Sequence, residues 1–339
     1  GKTQEQTNIL VAGDIGGVSK LSTTLTGDTL TTREASIRIK PLDFPDPVYV
    51  SAVSPKSKAD FDKMSNVLGR LVEEDPSLHV RRELATGETL LDGMGDTHIE
   101  VAVEKAKRKF GVDLGAATPK IAYMETISGK SKSEYKHKKQ SGGHGQYGHV
   151  MIELEPLPRG GGFEFAQKVV GGNVPKEYIP SVEKGVTKSL NDGVLAGYPI
   201  VDIKVILYDG SSHPVDSSGM AFEIAGSHAL KKGISEGTPV LLEPIMFMSV
   251  RVPDSFTGDV MGDLSGKRSR ILGMLPDRGI TTIEAEAPQS EVSRYATDLR
   301  SMTQGRGRFK MEFTRYEEVP SHLVARIVQD SKVGVVEKV

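Results

Sequence analysis

Hydrophobic positions recur at helical spacing in two stretches of the first third of the chain. In the first stretch, residues 56–74, the apolar positions are Phe61, Met64, Val67, Leu68 and Leu71. This spacing predicts a helix with one buried face that ends before Pro76. The stretch from His98 to Phe110 repeats the pattern, and Gly111 predicts its end.

Short apolar runs surround these two helices and predict strands, in the order β-α-β-β-α-β. This order is typical of the split βαβ, or ferredoxin-like, unit. The last third of the chain repeats it, with helices predicted at 256–268 and 291–303. Its strands are predicted at 245–252, 271–275, 280–287 and 308–316.

Between these units, alternating strands such as 150–154 and 201–207 accompany helices near 176–190 and 220–234. Ser217 and Ser218 are both placed to cap the second helix. The predicted fold class is multidomain α+β, with two ferredoxin-like βαββαβ units flanking an elongated α+β unit. Residues 1–40 predict a short β segment of strands and turns, and the mixed charges beyond about Arg326 predict a frayed tail.

The composition limits the kinds of site and partner that the chain can have. With 339 residues the chain predicts two or three domains. Cysteine is absent, which excludes disulfides and thiolate metal sites and fits a reducing compartment. No apolar run approaches the roughly 18 residues that span a bilayer. The net charge is −2, so any contact with nucleic acid must be local.

A local basic region follows residue 120. Between Lys120 and Val150, six lysines face two glutamates. The segment from Ser141 to His149 then holds four glycines in nine residues. Glycine packs nothing and costs backbone entropy, so this density predicts a tight loop whose backbone approaches a phosphate-bearing partner.

Three places imitate a nucleotide-binding P-loop, and none fits the motif. Gly129-Lys130-Ser131 has Met124 where the first glycine belongs. Gly1-Lys2-Thr3 has nothing before it, and Gly266-Lys267 continues with Arg268. The sequence therefore predicts no nucleotide site on this chain.

Two further groups have catalytic or metal-binding residue types. His213, Asp216 and Ser217 are the residue types of a hydrolase, but triad members usually come from distant parts of a chain. A helix-capping turn is the favoured interpretation, and His213 is equally placed to contact RNA or to be a solvated loop residue. His144 and His149 are too few for a zinc site without His137 and Glu153, which lie on predicted strands.

Basic side chains also mark the last unit. Arg300, Arg306 and Arg308 flank Gly305 and Gly307 at a helix-to-strand junction, an arrangement that suits phosphate binding or ordinary surface. Lys267 and Arg268 form a similar group at the end of the preceding helix.

Whole segments, in order along nearly the entire chain, resemble elongation factor G. They are Leu71–Pro76, Gly93–His98, Ser141–Val150, Gly171–Pro180, Asp209–Ser218, Ala221–Ser227, Gly258–Leu264 and Tyr295–Gly307. The resemblance implies a domain map: 1–40 as the end of a β-barrel second domain, 46–119 as the third domain, 120–243 as the RNA-contacting fourth, 244–325 as the fifth, and 326–339 as a tail. It also implies a GTPase domain, holding GTP and magnesium, that is absent from this chain. No catalysis is therefore expected from the chain itself.

The resemblance further implies a tip, built from two loops of the fourth domain, that contacts tRNA and mRNA on the ribosome during GTP-dependent translocation. The RNA-contacting tip residues would be Gly142, Gly143, His144, Gly145, Gln146, Tyr147, His213, Val215, Asp216 and Ser217. The candidates for rRNA contact would be Arg300, Arg306, Arg308, Lys267 and Arg268. A cytoplasmic monomer with no membrane contact is expected.

Three positions depart from the commonest family pattern. His144 stands where arginine is frequent, Asp96-Thr97 replaces the usual Glu-Leu, and Gly219 stands where glutamate is common. They indicate a divergent branch, and a paralogue specialised in ribosome recycling or in another ribosomal task is the alternative role. A general RNA-binding protein is a further alternative.

Overall fold

The computed structural model describes residues 5–140 and 145–336 of the chain. Three β-sheets, each with its own hydrophobic core, account for the mixed α+β architecture that the sequence predicts. Two sheets have the ferredoxin-like strand order, and the third lies between them in the sequence.

The first unit has the predicted order of elements. They are β1 (Tyr49–Pro55), α1 (Lys58–Glu74), β2 (His79–Arg82), β3 (Thr89–Gly93), α2 (Asp96–Phe110) and β4 (Leu114–Ala117). The sheet order is β2-β3-β1-β4, so the two helices connect strands across the sheet as in a split βαβ unit.

Local chemistry sets the ends of both helices. Ser57 Oγ accepts a hydrogen bond of 3.2 Å from the Asp60 backbone N–H and so caps α1. Gly111 ends α2 in the left-handed region at a φ of 66°. The predicted core position at Phe61 is wrong, since this ring is 64% exposed. The buried stripe of α1 begins about one turn later, at Met64.

The last unit repeats the topology with a longer first strand. Its elements are β10 (Pro239–Pro253), a 3₁₀ turn (Asp254–Phe256), α5 (Thr257–Gly266), β11 (Arg270–Asp277), β12 (Ile280–Pro288), α6 (Gln289–Val292), α7 (Tyr295–Met302), β13 (Arg308–Glu318) and α8 (Ser321–Val336). The sheet order is β11-β12-β10-β13.

Two predictions for this unit are wrong. The single helix predicted at 291–303 is divided into α6 and α7, because the backbone leaves helical dihedral angles at Arg294, with a φ of −114° and a ψ of 17°. The tail predicted to fray beyond Arg326 instead continues as α8 to Val336.

The middle unit contains a four-stranded sheet covered on one face by two helices. Its elements are β5 (Met124–Ile127), β6 (Ser131–Lys139), β7 (Gln146–Pro156), β8 (Phe163–Gln167), a 3₁₀ turn (Lys176–Tyr178), α3 (Ile179–Ser189), β9 (Ile203–Ser211) and α4 (Gly219–Glu236). The order is β6-β7-β9-β8, with β8 parallel to β9. We call the sheet face opposite the helices the outer face.

Small residues let α4 pack unusually close to its neighbours. A Cβ at Gly185 of α3 would lie 2.0 Å from the Glu223 carbonyl oxygen, and one at Gly226 would lie 2.8 Å from that of Val182. On the sheet side, Ser133 Oγ donates to the Ala229 carbonyl at 2.7 Å. Helices and sheet are therefore tied together by backbone contacts, which gives the unit a stiff frame.

One strand joins the middle and last units. The beginning of β10 pairs with β5, and the rest of β10 pairs with β12 and β13. Because a paired strand continues from one unit into the next, the connection is not a flexible linker.

Residues 5–48 contain turns but no strand, so the β segment predicted for residues 1–40 is wrong over residues 5–40. Gly13 and Gly27 lie in turns, at φ values of 95° and 93°. Apolar side chains such as Ile9 and Ile15 are exposed. A strand needs a neighbour for its backbone hydrogen bonds, and these residues have none within the described chain. Among the described helices, none is long and apolar enough to cross a membrane.

Candidate functional site

Two loops meet at one end of the middle unit, where β6 leads into β7 and β9 leads into α4. The Gly145 N–H donates to Asp216 Oδ1 at 3.0 Å, and the Tyr147 N–H donates to the Asp216 carbonyl at 2.8 Å. Ser217 Oγ donates to the Tyr147 carbonyl at 3.0 Å. The structure thus brings Gly145, Tyr147, Asp216 and Ser217 together. Gly142, Gly143 and His144 lie outside the described residues.

Two glycines of this region are explained by packing inside the chain. A Cβ at Gly148 would lie 2.7 Å from the backbone carbonyl of Ala221, at the start of α4. A Cβ at Gly145 would lie 2.9 Å from the carboxyl carbon of Asp216. The glycine density therefore does not by itself require an external partner at these two positions, contrary to the first interpretation of the sequence.

His213 is held at the end of the second loop with half of its side chain exposed. Its Nδ1 accepts hydrogen bonds from the backbone N–H groups of Val215 at 3.3 Å and Asp216 at 3.2 Å. Asp216 Oδ2 is 3.4 Å from the same nitrogen, slightly farther than the two N–H groups, and we therefore assign the proton of the neutral ring to Nε2. Val215, beside it, is 62% exposed. The loop presents a hydrogen-bond donor and an apolar side chain outward.

The hydrolase alternative is wrong. In a triad, the serine Oγ is hydrogen-bonded to the imidazole that takes its proton. Here Ser217 Oγ donates to the Tyr147 carbonyl and accepts from the backbone N–H of His213 at 2.9 Å. The hydroxyl proton is committed to the backbone, and Ser218 rather than Ser217 caps α4, accepting from the Ala221 N–H at 3.3 Å.

Gln146 and His149 lie on β7, just below the paired loops. Gln146 Oε1 is 3.1 Å from His137 Nε2. His149 Nδ1 is 3.0 Å from Ser211 Oγ, and its Nε2 is 3.6 Å from a Glu134 oxygen. Within residues 5–140 and 145–336, no group of three or more suitable side chains is placed to hold a metal ion.

Arg268 occupies a structural position in the last unit. Its guanidinium donates to both oxygens of Glu243, at 2.7 and 2.9 Å, and to Glu291 at 2.8 Å. Hydrogen bonding to Glu243 raises the pKa of Arg268 further above its usual range. Glu243 is buried, so its charge depends on this partner. The prediction of rRNA contact is therefore withdrawn for Arg268.

The prediction of rRNA contact is also withdrawn for Lys267, because carboxylates of the chain already bind it. Its Nζ lies 2.6 Å from Asp263 and 3.2 Å from Asp298, and only 19% of its side chain is exposed. Two carboxylates already neutralise this ammonium group, so a phosphate would have to displace them.

The three remaining arginines differ from one another. Arg300 faces the first unit, with its guanidinium 3.5 Å from both Asp96 Oδ1 and the Met94 carbonyl. Arg306 lies over the Phe256 ring, 4.6 Å from the ring centre. Arg306 and Arg308 are both exposed, and RNA contact by them stays a prediction.

The residues that imitate a P-loop do not fit a nucleotide. Lys130 Nζ is 2.5 Å from Glu155, and Ser131 Oγ donates to the Gly233 carbonyl at 2.7 Å. A P-loop would offer both groups to phosphate and magnesium. Lys267 is likewise paired, and Gly1-Lys2-Thr3 lies outside the described residues.

The comparisons follow the same division of the chain. Models of elongation factor G match in sequence: domain III at residues 44–118, domain IV at 119–238 and the C-terminus at 240–327. An "elongation factor G-like protein" of Thermotoga maritima is 47% identical over 332 residues, which are 98% of this chain and 49% of that protein. A crystal structure of a Thermus thermophilus protein superimposes with a TM-score of 0.75 at 42% identity, covering 86% of this chain and 44% of that one.

Two ferredoxin-like units around an α+β unit with paired end loops therefore define the class as a protein with the architecture of domain III, domain IV and the C-terminus of elongation factor G. The chain belongs to the elongation factor G family, and it spans about half the length of the relatives it matches.

Proposed function

We propose that the chain is the ribosome-binding part of an elongation factor that promotes GTP-dependent translocation of tRNA and mRNA. The paired loops of the middle unit enter the decoding region and contact both RNAs. Residues 46–119, 120–243 and 244–325 act as the third, fourth and fifth domains of a cytoplasmic monomer. The observation that carries this proposal is the pairing of the two loops through Asp216.

The pairing matters because it fixes the loops before any partner arrives. Hydrogen bonds from Gly145, Tyr147 and Ser217 hold the two loops together. A loop that is already ordered loses less conformational entropy on binding. The exposed imidazole of His213 is then available to donate to a phosphate or to stack on a base.

The chain contributes positioning rather than bond-breaking chemistry in this proposal. GTP and magnesium belong to a part of the longer family members that lies outside the matched residues. The stiff frame around α4 and the continuous strand β10 would carry movement from the last unit to the loops.

The test uses a longer family member that contains this chain. His213→Ala should slow translocation about tenfold or more, which corresponds to about 1.4 kcal/mol of activation free energy. Ribosome-dependent GTP hydrolysis should stay within about twofold, since His213 is remote from nucleotide chemistry in this account. His322→Ala, which removes an exposed histidine of α8, is the matched control and should change neither rate.

Three outcomes would contradict the proposal. Equal loss of translocation and GTP hydrolysis would mean that His213 does not act at the decoding region. Subunit splitting without translocation would assign the recycling role instead. Salt-dependent binding to any RNA, with no preference for ribosomes, would make the chain a general RNA-binding protein.

A further inference from the structure

Strand register arranges the outer face of the middle unit in rows of side chains. Lys138 of β6 lies beside Tyr147 of β7. In the next row, Lys136 lies beside His149, and His149 lies beside Ser211 of β9. We call these five residues the upper rows, because they adjoin the paired loops.

The rows farther from the loops carry both signs of charge. Glu134 lies beside Met151, which lies beside Asp209; Lys132 lies beside Glu153; and Glu155 lies beside Lys204. Ion pairs at their margins join Lys130 to Glu155 at 2.5 Å and Lys204 to Glu164 at 2.8 Å. We call these the lower rows. Carboxylates outnumber lysines in them, so they offer no excess positive charge to a polyanion.

The upper rows differ because their formal charges are all positive. Lys136 and Lys138 are exposed, and no carboxylate of the described residues lies within 4 Å of either ammonium group. Lys136 Nζ is instead 5.3 Å from the centre of the Tyr147 ring. The charge of the outer face therefore changes at Glu134, within one row.

Hydrogen bonds hold the polar groups of the upper rows in place. Tyr147 Oη is 2.7 Å from Ser211 Oγ, which is 3.0 Å from His149 Nδ1. The network crosses from β7 to β9 and is supported by the sheet beneath it. A surface held this way keeps its donors aligned without a partner.

The upper rows are continuous with the loop site through Tyr147. The Tyr147 ring lies 6.2 Å from the His213 ring, centre to centre, and the Tyr147 backbone pairs with the Asp216 loop. Lys136 and Lys138 are two residues apart on one strand, hence about 6.6 Å apart along it. This separation is comparable with that of neighbouring phosphates in an RNA strand.

We propose that the upper rows form a second contact surface that receives the sugar–phosphate backbone of a single RNA strand as it leaves the paired loops. Lys136 and Lys138 face successive phosphates, and the Tyr147 and Ser211 hydroxyls face the sugar edge. The inference rests on the proposed function of the loops and extends their contact down the sheet. Charge complementarity carries it, since the lower rows of the same face lack it.

The first test compares two double variants on β6, each of which removes two lysines. Lys136→Gln with Lys138→Gln alters the upper rows, and Lys130→Gln with Lys132→Gln is the control in and beside the lower rows. Binding of each chain to purified ribosomes is measured between about 50 and 200 mM salt, a range over which phosphate contacts weaken strongly. The upper variant should lose about tenfold in affinity, and its salt slope should fall by about 1.4, since each single-strand phosphate contact contributes about 0.7.

The outcomes separate this inference from the proposed function. The control should stay within about twofold of the unchanged chain. Equal losses in both variants, or no loss in the upper one, would overturn the second surface while leaving the loop site intact. If the unchanged chain does not bind ribosomes, the proposed function is wrong and the second surface falls with it.

The second test identifies the partner's chemistry. The chain has no cysteine, so Ser211→Cys carries a photocrosslinker at one position only, with Glu153→Cys as the lower-row control. Crosslinking to RNA from position 211 but not from 153 is expected. Crosslinking from 211 to protein alone would show an acidic protein partner and would overturn the proposal. Circular dichroism melting checks that every variant is folded.

Discussion

The loop end of the middle unit and the last unit are both rich in basic side chains, but these side chains differ in whether a carboxylate of the chain pairs with them. Arg268 is bound by Glu243 and Glu291, and Arg315 by Glu286 at 2.6 and 2.8 Å. Lys136 and Lys138, in contrast, have no carboxylate within 4 Å among the described residues. A basic group that neutralises a buried acid stabilises the fold, whereas one in a row without acids is available to a polyanion.

The largest expected effect comes from Arg268→Ala. It leaves Glu243 buried without its partner, and breaking a buried pair in this way costs roughly 3–5 kcal/mol. Urea unfolding of the chain should show an early transition for the last unit. Arg251→Ala, an exposed arginine of β10, is the control and should change stability by less than about 0.5 kcal/mol. Equal, small effects would mean that Arg268 is not structural, and the comparison would fail.

The next-largest effects are expected from glycine substitutions, which should change the stability of the two regions in opposite directions. Gly148→Ala pushes a methyl group to 2.7 Å from the Ala221 carbonyl and should destabilise the middle unit by roughly 1–3 kcal/mol. Gly262→Ala, in α5 of the last unit, meets nothing within 4 Å and should stabilise by roughly 0.5–1 kcal/mol. Thermal unfolding measures both. A neutral Gly148→Ala would show that the loop end tolerates movement of α4.

The ion pairs of Glu286 should make the stability of the last unit depend on pH. Hydrogen bonding to Arg315, supported by Arg270, lowers the pKa of Glu286 from 4.5 to about 2. The stability from these pairs is present above pH 4.5 and is lost as the pH falls towards 2. Glu286→Gln should cost roughly 1–2 kcal/mol at neutral pH, after allowance for solvent screening, and almost nothing near pH 2. A cost that is constant with pH would contradict the ion-pair account.

The smallest expected effect on stability is that of Lys136→Gln with Lys138→Gln. Neither ammonium group lies within 4 Å of a carboxylate in the part of the chain that the structure describes, so the free energy of unfolding should change by less than about 0.5 kcal/mol. Urea unfolding beside the unchanged chain tests this. A loss comparable to that of Arg268→Ala would show that these lysines also serve the fold.

Most of the fold could be predicted from patterns among residues that are close together in the sequence. The helical spacing of Met64, Val67 and Leu71 was sufficient for α1, and Gly111 for the end of α2, because these signals involve neighbours in sequence. The break between α6 and α7 lies at Arg294, inside a pattern of residues that is otherwise helical. The strands predicted before residue 40 had the right residues but no neighbouring strand within the described chain.

The site was predictable only in part, and for a related reason. Sequence similarity brought the two loops into one tip, but only the structure shows that Asp216 holds them together. Arg268 and Arg306 look alike in sequence, and only the fold places Glu243 beside the first. The period-two pattern from Ser131 to Lys139 was the available signal for a basic strand face, whereas the acid-free rows required the register of β6 with β7.

The buried charge of Glu125 was not identified from the sequence, because no sequence pattern indicates it. The Glu125 carboxylate accepts four backbone N–H bonds, at 2.6 to 3.1 Å, from the turn that contains Val194, Leu195, Ala196 and Tyr198. Its partners lie about 70 positions away and are all backbone groups. No pattern of side chains in the sequence predicts these backbone partners.

The most direct test of the central claim is crosslinking from the loop end on ribosomes that carry mRNA and tRNA. Val215→Cys places a photocrosslinker on the exposed tip of this cysteine-free chain, and Leu84→Cys places one at an even more exposed position of the first unit. The account predicts crosslinks to mRNA or tRNA from position 215 and none from position 84. Crosslinks to neither RNA from 215, or equal crosslinks from both positions, would contradict it.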